Sequence, residues 1–464
     1  MGPPKAVRTI SQEAFDEMVK ENMEDLGMDP SEALQDAIDT LSLQGVDLSG
    51  IVRCIPGESS LDENPVIQAL NRLRELSSDS SDDETSLNEI AELLERLNEL
   101  CSLEGSGNAA IAVKNGAVEL VISILQKLRT SSCDRGLVSA LTTLASLLYD
   151  LQTSETFEKN GGPKIVLDIV NGGAQSISII NSGFSVVAAA ASGNEILKES
   201  FMALKIDEII TKILREHKRG NFPCLYDAIR VLLAADDHRV VASQVFGYAR
   251  IFAKKGIVEA LVETLHEGLS SPNIASASIA LKAVAVNDEI CRSVADNGGI
   301  DAVLLCIDNC GEQGNKPVAK ACCSLLSKLA GSDINKSSII EKQGMDRLMK
   351  LSARFTDDPS MLQEVMSIVW VLCLRSPENA ARAIEAGAGD LAVESMLRFP
   401  ESEQLQRSAC LMIRNLVVRN PENRTLLLGK GIEKLIRKAK GNHRSCKDAA
   451  SDALRDLGLD NYNA

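Results

Sequence analysis

Residues 407–436 read RSACLMIRNLVVRNPENRTLLLGKGIEKLI and contain one complete copy of a unit that most of the chain repeats. The first half carries an apolar stripe at helical spacing, formed by Ala409, Met412, Ile413 and Leu416. Residues 420–422 (NPE) have the features of a helix start, because asparagine caps helices and proline is accepted at the first helical position. A glycine-rich turn at residues 429–431 ends that short helix. The stretch therefore predicts a long helix followed by two short ones.

The unit recurs along the chain at a nearly constant spacing. A motif that ends one helix and opens the next reads KNGAVELV from Lys114, KKGIVEAL from Lys254 and GKGIEKLI from Gly429. The aligned markers are Gly116, Gly161, Leu204, Lys255, Gly298, Gln343, Gly387 and Lys430. Their steps are 43–45 residues, with one step of 51. Such a period is typical of helical repeats of the armadillo and HEAT type, and glycine suits the turn because it adopts positive φ without steric cost.

The two ends of the repeat region predict caps. Residues 86–101 form an amphipathic helix before the first marker, and residues 447–457 form another after the last one. A single repeat cannot bury its apolar faces alone, so neighbouring repeats must stack. We therefore predict an all-α fold, an armadillo-type right-handed superhelical solenoid with one concave face. It would span residues 87–460, after an acidic helical N-terminal region at 1–76 and a Ser/Asp-rich linker at 77–86.

The amino-acid composition of the chain limits the functions that it could have. Residues 1–105 hold 24 acidic and 7 basic residues, whereas the remainder holds 41 and 42. The 12 cysteines include no CxxC pair, and the 4 histidines show no ligand spacing, which favours reduced thiols in a cytoplasmic or also nuclear protein without a zinc site. No run of about 18 uncharged apolar residues exists, so we expect no transmembrane helix and no membrane partner.

Catalytic motifs are not found in the sequence. It contains no GxxxxGK[ST] phosphate loop, no HExxH and no GxSxG. The glycine pairs at 161–162, 172–173 and 298–299 follow helical patterns and not strands. We therefore expect no enzyme activity, no cofactor and no metal.

The single long step indicates an insertion at residues 235–250 (ADDHRVVASQVFGYAR). Insertions in solenoids form loops, often on a binding face. This segment concentrates His238, Arg239, Phe246 and Tyr248 in a chain with only 3% aromatic residues. Two interpretations stay open, a recognition loop and an irregular packed loop.

Short motifs resemble the armadillo-repeat family. The residues that carry the resemblance are IRNL at 413–416, PEN at 421–423 and KGI at 430–432. Segments outside the generic repeat are similar to one subgroup of that family, namely ISQEAFD at 10–16, QGVDLS at 44–49, ADDHR at 235–239 and ALRDLG at 453–458.

The resemblance provides a test of binding chemistry. Armadillo proteins of the nuclear-import type carry a ladder of asparagines on the long helix, each with a tryptophan four residues earlier. The asparagine column here reads Thr143, Ala189, Val231, Ala283, Lys328, Val371 and Asn415. The tryptophan column reads Ser139, Ser185, Asp227, Ile279, Ser324, Ser367 and Leu411. This departure argues against import-type binding of basic peptides, and Trp370 lies one place before the asparagine column.

The position before the asparagine column holds Arg230, Lys282 and Arg414 among neutral residues. This patchy basic face is typical of ordinary surface charge more than of a groove for an acidic partner. We therefore predict a non-catalytic scaffold or adaptor that binds a protein partner along the concave groove. The candidate contacts are Arg230, His238, Arg239, Phe246, Tyr248, Lys282, Trp370, Arg414 and Asn415.

Two other functions stay open from the sequence. The C-terminal cluster RKAKGNHR at 437–444 could bind nucleic acid through its phosphates, and the solenoid could act as a nuclear-import-type adaptor for basic peptides. A further use of the same cluster would be docking of the acidic N-terminal region on the basic C-terminal cap.

Overall fold

The computed structural model describes residues 8–53, 55–56, 63–78, 84–103, 105–130, 133–173, 176–217, 220–235 and 242–460. The chain divides into two compact units. The first unit contains the described residues up to Ile206, and the second contains those from Asp207 onward.

The first unit begins with a small folded module. Helices α1 (Gln12–Glu24) and α2 (Pro30–Leu43) pack together, and strand β1 (Arg8–Thr9) pairs in parallel with strand β2 (Val46–Asp47). Its core consists of Phe15, Val19, Ala33, Ala37, Leu41, Leu48 and Ile51. The Gln12 amide closes the module, because Nε2 donates to the Val52 carbonyl and Oε1 accepts from the Val52 N–H, both at 2.9 Å. The predicted helices are present, whereas the strand pair was not predicted.

Two further helices, α3 (Pro65–Ser78) and α4 (Glu84–Cys101), connect this module to the repeats. Arg72 on α3 pairs with Glu89 on α4 at 2.6 Å. The predicted linker at 77–86 is wrong at both edges, since residues 77–78 continue α3 and residues 84–86 open α4. Its centre, residues 79–83, lies outside the described residues.

The described part of the chain then forms eight helix triplets, and we call the first, second and third helix of each triplet its short, middle and long helix after the commonest order of length. In chain order they are α5 (Asn108–Lys114), α6 (Ala117–Leu128), α7 (Asp134–Leu147); α8 (Leu151–Lys159), α9 (Gly162–Gly172), α10 (Ile177–Ala191); α11 (Glu195–Ala203), α12 (Ile206–Glu216), α13 (Pro223–Leu232); α14 (Ala242–Lys254), α15 (Ile257–His266), α16 (Ile274–Val284); α17 (Asp288–Asp296), α18 (Gly299–Gln313), α19 (Lys316–Leu329); α20 (Asp333–Glu341), α21 (Gly344–Arg354), α22 (Pro359–Cys373); α23 (Pro377–Glu385), α24 (Ala388–Arg398), α25 (Glu403–Val417); α26 (Pro421–Gly429), α27 (Ile432–Asn442), α28 (Lys447–Asp456). The repeat, its long helices and both terminal helices are confirmed.

The N-terminal module is attached to the first triplet. Nζ of Lys114, at the end of α5, donates to the Ile10 carbonyl at 3.1 Å. Arg74 on α3 donates to the Asn115 carbonyl just after α5. These bonds connect the acidic region to the first repeat.

A left-handed residue joins the short and middle helices of every triplet. Six of these residues are glycines, with φ from 71° to 107°: Gly116, Gly161, Gly256, Gly298, Gly387 and Gly431. The other two are Lys205 (φ 62°) and Gln343 (φ 59°). Three predicted markers, Leu204, Lys255 and Lys430, are therefore wrong by one position. The chain reverses between consecutive helices at the residue with the left-handed backbone. That residue lies one position after each of these three markers.

The insertion is a helix where the structure describes it. Residues 242–250 lie in α14, and residues 236–241 are outside the described residues. Ala249 and Phe252 are fully buried at helical spacing and anchor α14. The expected loop is therefore wrong for residues 242–250. The prediction of a loop rested on the single long step between repeat markers, which does not distinguish an inserted loop from a lengthened helix.

Asparagines on three short helices connect consecutive repeats of the second unit. Nδ2 of Asn423 on α26 donates to the Leu416 carbonyl at the end of α25 (2.8 Å) and to the Ala380 carbonyl in α23 (3.1 Å). Asn335 on α20 repeats this pattern with Leu329 and Cys291. Asn379 on α23 donates to the Leu372 carbonyl at 2.9 Å. We call these three residues the short-helix asparagine ladder.

We expect Asn423→Ala to lower the free energy of unfolding by about 1–2 kcal/mol, because two carbonyls lose a buried donor. Chemical denaturation followed by circular dichroism measures the change. Asn442→Ala, at an exposed position, serves as the matched control. Equal denaturation midpoints for the two variants would contradict a stabilising role for the ladder.

We expect Gly431→Ala to cost about 1–2 kcal/mol, because a residue with a Cβ is strained at φ 77°. Apart from the adjoining residues and the helix's own backbone, no atom lies within 4 Å of an added Cβ at Gly431 or at the nearby Gly429, so neither variant creates a packing clash. Gly429→Ala is therefore the control and is expected to be neutral or slightly stabilising, because that glycine is helical. Thermal denaturation of both variants compares them, and equal losses would show that backbone conformation is not the cause.

Candidate protein-binding site

The long helices of the second unit pack in sequence, α16 against α19, α19 against α22, and α22 against α25. Their apolar sides are buried, as in Leu281, Leu325 and Val369. The opposite sides carry polar and partly exposed residues at helical spacing. We call this surface the long-helix face and define it by Ile279, Lys282, Lys320, Ser324, Glu364, Trp370 and Arg414.

A charged cluster spans three long helices at the centre of this face. Nζ of Lys282 on α16 donates to Oγ of Ser324 on α19 at 2.6 Å. Burial raises the pKa of the Glu364 carboxyl on α22, while the nearby ammonium groups of Lys282 and Lys320 lower it. Burial dominates, so the site holds a partly desolvated carboxylate beside two cations.

Apolar surface lies beside the cluster. Ile279 on α16 is 42% exposed, although it belongs to a long helix with a well-buried opposite side. Trp370 on α22 is half-buried. Partly exposed isoleucine and tryptophan can be desolvated by a partner, and tryptophan is frequent among residues that dominate binding energy.

Two of the predicted basic positions are compensated by acids. Arg414 pairs with Asp452 (2.9 Å) and Asp456 (3.3 Å) on α28. Arg230 pairs with Asp227 at 2.7 Å within α13. Arg414 therefore connects α25 to the last helix, and Arg230 forms an exposed pair of small energetic value. The face is not an open basic stripe.

Asn415 has a partner inside the stack. It is 8% exposed, and its Nδ2 donates to the Trp370 carbonyl at 2.9 Å. In the first unit Thr143 occupies the same column, and its Oγ1 donates to the Leu94 carbonyl at 2.9 Å. Thr143 and Asn415 thus each bridge two neighbouring helices of the stack. A role for Asn415 in clamping a peptide stays a prediction.

The aromatic residues of the insertion lie on a short helix, α14. Phe246 is exposed, and the Tyr248 hydroxyl accepts a hydrogen bond from Gln244 Nε2 at 2.9 Å. Arg250 is exposed. His238 and Arg239 lie outside the described residues. The structure does not assign Phe246 and Tyr248 to the long-helix face, so their binding role also stays a prediction.

In the described ranges, no three or more His, Cys, Asp or Glu side chains lie together so that they could hold a metal. The eleven cysteines in these ranges are free thiols. Burial raises the pKa of the Cys101 thiol to about 11 and that of Cys310 to about 12, so both are protonated at neutral pH.

Among the described residues, no single helix is long and apolar enough to cross a membrane. The bent pair α5 and α6 meets these two criteria together.

The basic C-terminal cluster is partly neutralised. Arg437 pairs with Glu433 (2.8 Å) and Asp460 (3.0 Å). His443 Nε2 lies 2.8 Å from the Pro400 carbonyl oxygen. Neither the nucleic-acid alternative nor the import-type alternative gains support from these contacts.

Sequence reasoning missed the centre of the face. Ser324 and Ile279 stood in the tryptophan column and were read only as departures from another family pattern. Glu364 and Lys320 were not singled out. These residues come together only when three repeats stack. The sequence signal that could have found them is that each lies on the same side of its own long helix as Lys282 does on α16.

Comparisons with known proteins support the assignment of an armadillo-type repeat. A family model described as ARMC6 matches residues 66–461, and one described as the armadillo repeat-containing protein 6 N-terminal domain matches residues 7–85. Armadillo repeat-containing protein 6 of Homo sapiens is 27% identical over 390 residues, which cover 80% of this chain and 75% of the relative. The Drosophila melanogaster homolog is 24% identical over 388 residues, covering 82% and 80%.

A solved structure is similar in fold. The crystal structure of an engineered protein aligns with a TM-score of 0.54 at 17% identity, covering 85% of this chain and 99% of the other. The predicted fold class is confirmed by the helix triplets and this likeness. The subgroup indicated by segments outside the generic repeat is confirmed by the family models. The chain belongs to the armadillo repeat-containing protein 6 family.

Proposed function

We propose that this chain is a non-catalytic scaffold that binds a protein partner along the long-helix face of the second unit. The observation that carries the proposal is the combination of exposed Ile279 and half-buried Trp370 with the Lys282–Ser324 contact. The armadillo-repeat fold supports protein binding as the general activity. The cytoplasm, and also the nucleus, are the compartments we propose, on the basis of cysteine usage.

The chemistry of the face favours a protein over a polyanion. Arg414 is held by two aspartates, and the Glu364 carboxylate lies near enough to Lys282 and Lys320 for both to lower its pKa. A phosphate backbone would meet this carboxylate and few uncompensated cations. A folded or extended protein segment can bury Ile279 and Trp370 while its polar groups meet the mixed charges.

We expect the double variant Ile279→Asp/Lys282→Glu to lose partners that the wild type captures. Both side chains are exposed, so the fold is retained while the face gains negative charge. Chemical cross-linking followed by mass spectrometry is the measurement, with losses of about ten-fold or more expected for true partners. Lys350→Glu, exposed on α21, is the control and keeps the partner set.

A second variant, Trp370→Ala, tests the same face through an apolar residue. Circular dichroism verifies that each variant is folded. If the double variant and the Lys350→Glu control capture identical proteins in equal amounts, the proposed binding face is wrong.

We expect Glu364→Gln to be more stable than the wild type at about pH 7.5 and equally stable near pH 4. The folded-state pKa of Glu364 is raised above its ordinary value of 4.5, so wild-type stability falls as the pH rises through that raised pKa. Glutamine removes this loss. Urea denaturation at both pH values measures the difference, with Glu401→Gln as an exposed control. A stability gain that persists unchanged at the lower pH would contradict the titration of Glu364.

A further inference from the structure

Lysine–acid pairs connect consecutive triplets of the second unit in one repeated register. The pairs are Lys255–Glu208 (3.0 Å), Lys342–Asp301 (2.6 Å) and Lys430–Asp390. Each lysine directly precedes a left-handed residue, and each acid lies three residues after the left-handed residue of the preceding triplet. The acid therefore marks the side of a middle helix that meets the next triplet.

The last described triplet inverts the charge at this position. Three residues after its left-handed Gly431 comes Lys434, on the middle helix α27. The matching position is acidic in every other described triplet except the second, where it is Lys164 and the next triplet has Leu204 in place of the lysine. A further repeat with the usual lysine would be repelled by Lys434, whereas a carboxylate would be attracted. The side of α27 on which a following triplet would lie is therefore selective for an acidic surface.

Lys434 belongs to a stretch of cations that lack an acidic partner. Residues 434–447 contain six lysine and arginine residues and no aspartate or glutamate, and Asp448 directly follows them. Within the part of the chain that the structure describes, only Arg437 of the six forms ion pairs, with Glu433 and Asp460. Four of the other five are exposed and one, Lys440, is half-buried. We call these five the basic end: Lys434, Lys438, Lys440, Arg444 and Lys447.

The N-terminal module presents a complementary surface. Residues 8–53 hold 11 acidic and 3 basic residues. The exposed acids of α1 recur at spacings of three and four residues, so they share one side of the helix, and Lys20 is the one base among them. We call these acids the α1 stripe: Glu13, Glu17, Glu21 and Glu24. None of their carboxylates has an ion pair or a hydrogen bond with another described residue.

We propose that the basic end of one copy docks the α1 stripe of a second copy, which joins the chains head to tail. Charge complementarity selects this occupant, because both surfaces carry several exposed charges that lack a partner among the described residues of their own copy. Glu17 and Glu21 are four residues apart on a helix, as are Lys434 and Lys438, so the spacings of the two charge pairs match. The two surfaces differ, so each copy can dock on the next and assemblies larger than a dimer can form.

Sedimentation equilibrium of the full chain measures the association. Exposed ion pairs are individually weak and are screened by salt, so the contact requires a high protein concentration and low salt. At about 20 mM salt, the weight-average mass of the wild type is expected to rise above the monomer mass between about 5 and 200 µM protein. At about 500 mM salt, it is expected to stay at the monomer mass.

Two variants neutralise one surface each, all at exposed positions. They are Lys434→Gln/Lys438→Gln/Arg444→Gln for the basic end and Glu13→Gln/Glu17→Gln/Glu21→Gln for the α1 stripe. Each variant alone is expected to stay monomeric at low salt, because it keeps only one of the two surfaces. An equimolar mixture is expected to form a one-to-one pair, because one intact surface of each kind remains. This recovery also shows that both variants are folded.

The control for net charge is Lys254→Gln/Lys350→Gln/Arg354→Gln, which changes three exposed cations of the second unit outside the basic end. It has the same net charge as the basic-end variant and is expected to associate as the wild type does. The α1 variant makes the chain less negative, so general repulsion between copies cannot explain its loss of association.

The proposal is wrong if the wild type stays monomeric at low salt, or if the mixture of the two variants does. Association that persists in the α1 variant would assign the basic end to another anionic surface, and an equal loss in the control would reduce the effect to net charge. Either result overturns the proposed pair of surfaces. Trp370→Ala, on the long-helix face, is expected to keep the wild-type mass, so self-association and the partner binding of the proposed function can fail separately. A loss of association in that variant would place the contact on the long-helix face instead.

Discussion

The last two residues of a helix leave carbonyl groups without an intrahelical partner, and the second unit supplies that partner from the following short helix. Leu329, Leu372 and Leu416 each lie in the last two residues of a long helix. Their carbonyls accept from Asn335, Asn379 and Asn423, respectively. One amide therefore satisfies a helix end and fixes the direction in which the next repeat begins. The PEN motif combines this asparagine with a proline that suits the first helical position.

Another asparagine, Asn415 on the long helix α25, also connects two consecutive repeats. Its amide reaches the Trp370 carbonyl in the preceding repeat, so it holds α25 against α22. In armadillo proteins of the nuclear-import type, from which this sequence departs, an asparagine in this column clamps the ligand backbone. Here the long-helix face offers Ile279, Trp370 and a compensated set of charges. A partner would therefore be recognised through side-chain burial more than through its backbone.

Local patterns made the repeat predictable, because helical apolar spacing and capping residues act within one turn. Features that depend on stacking were not predictable. Glu364 gains its raised pKa from burial between repeats. The left-handed residues Lys205 and Gln343 could not be predicted from the sequence either, for a different reason. The surrounding helices impose a left-handed backbone on residues whose own preference is different, so glycine alone could not mark the position.

The short-helix asparagine ladder also has a consequence for the kinetics of local unfolding. Its three members lie in consecutive repeats from α20 to α26, whereas the matching positions of α8 and α11 in the first unit carry Thr153 and Leu197. In a stacked repeat protein, the strength of the interface between two repeats determines how many neighbouring repeats unfold together in a local unfolding event. Repeats whose short helices share buried amides are expected to open together. Repeats of the first unit, which are joined by contacts such as the exposed Arg129–Asp168 pair, are expected to open more independently. The chain would thus exchange its amide hydrogens as one large block near its C-terminal end and in smaller blocks within the first unit.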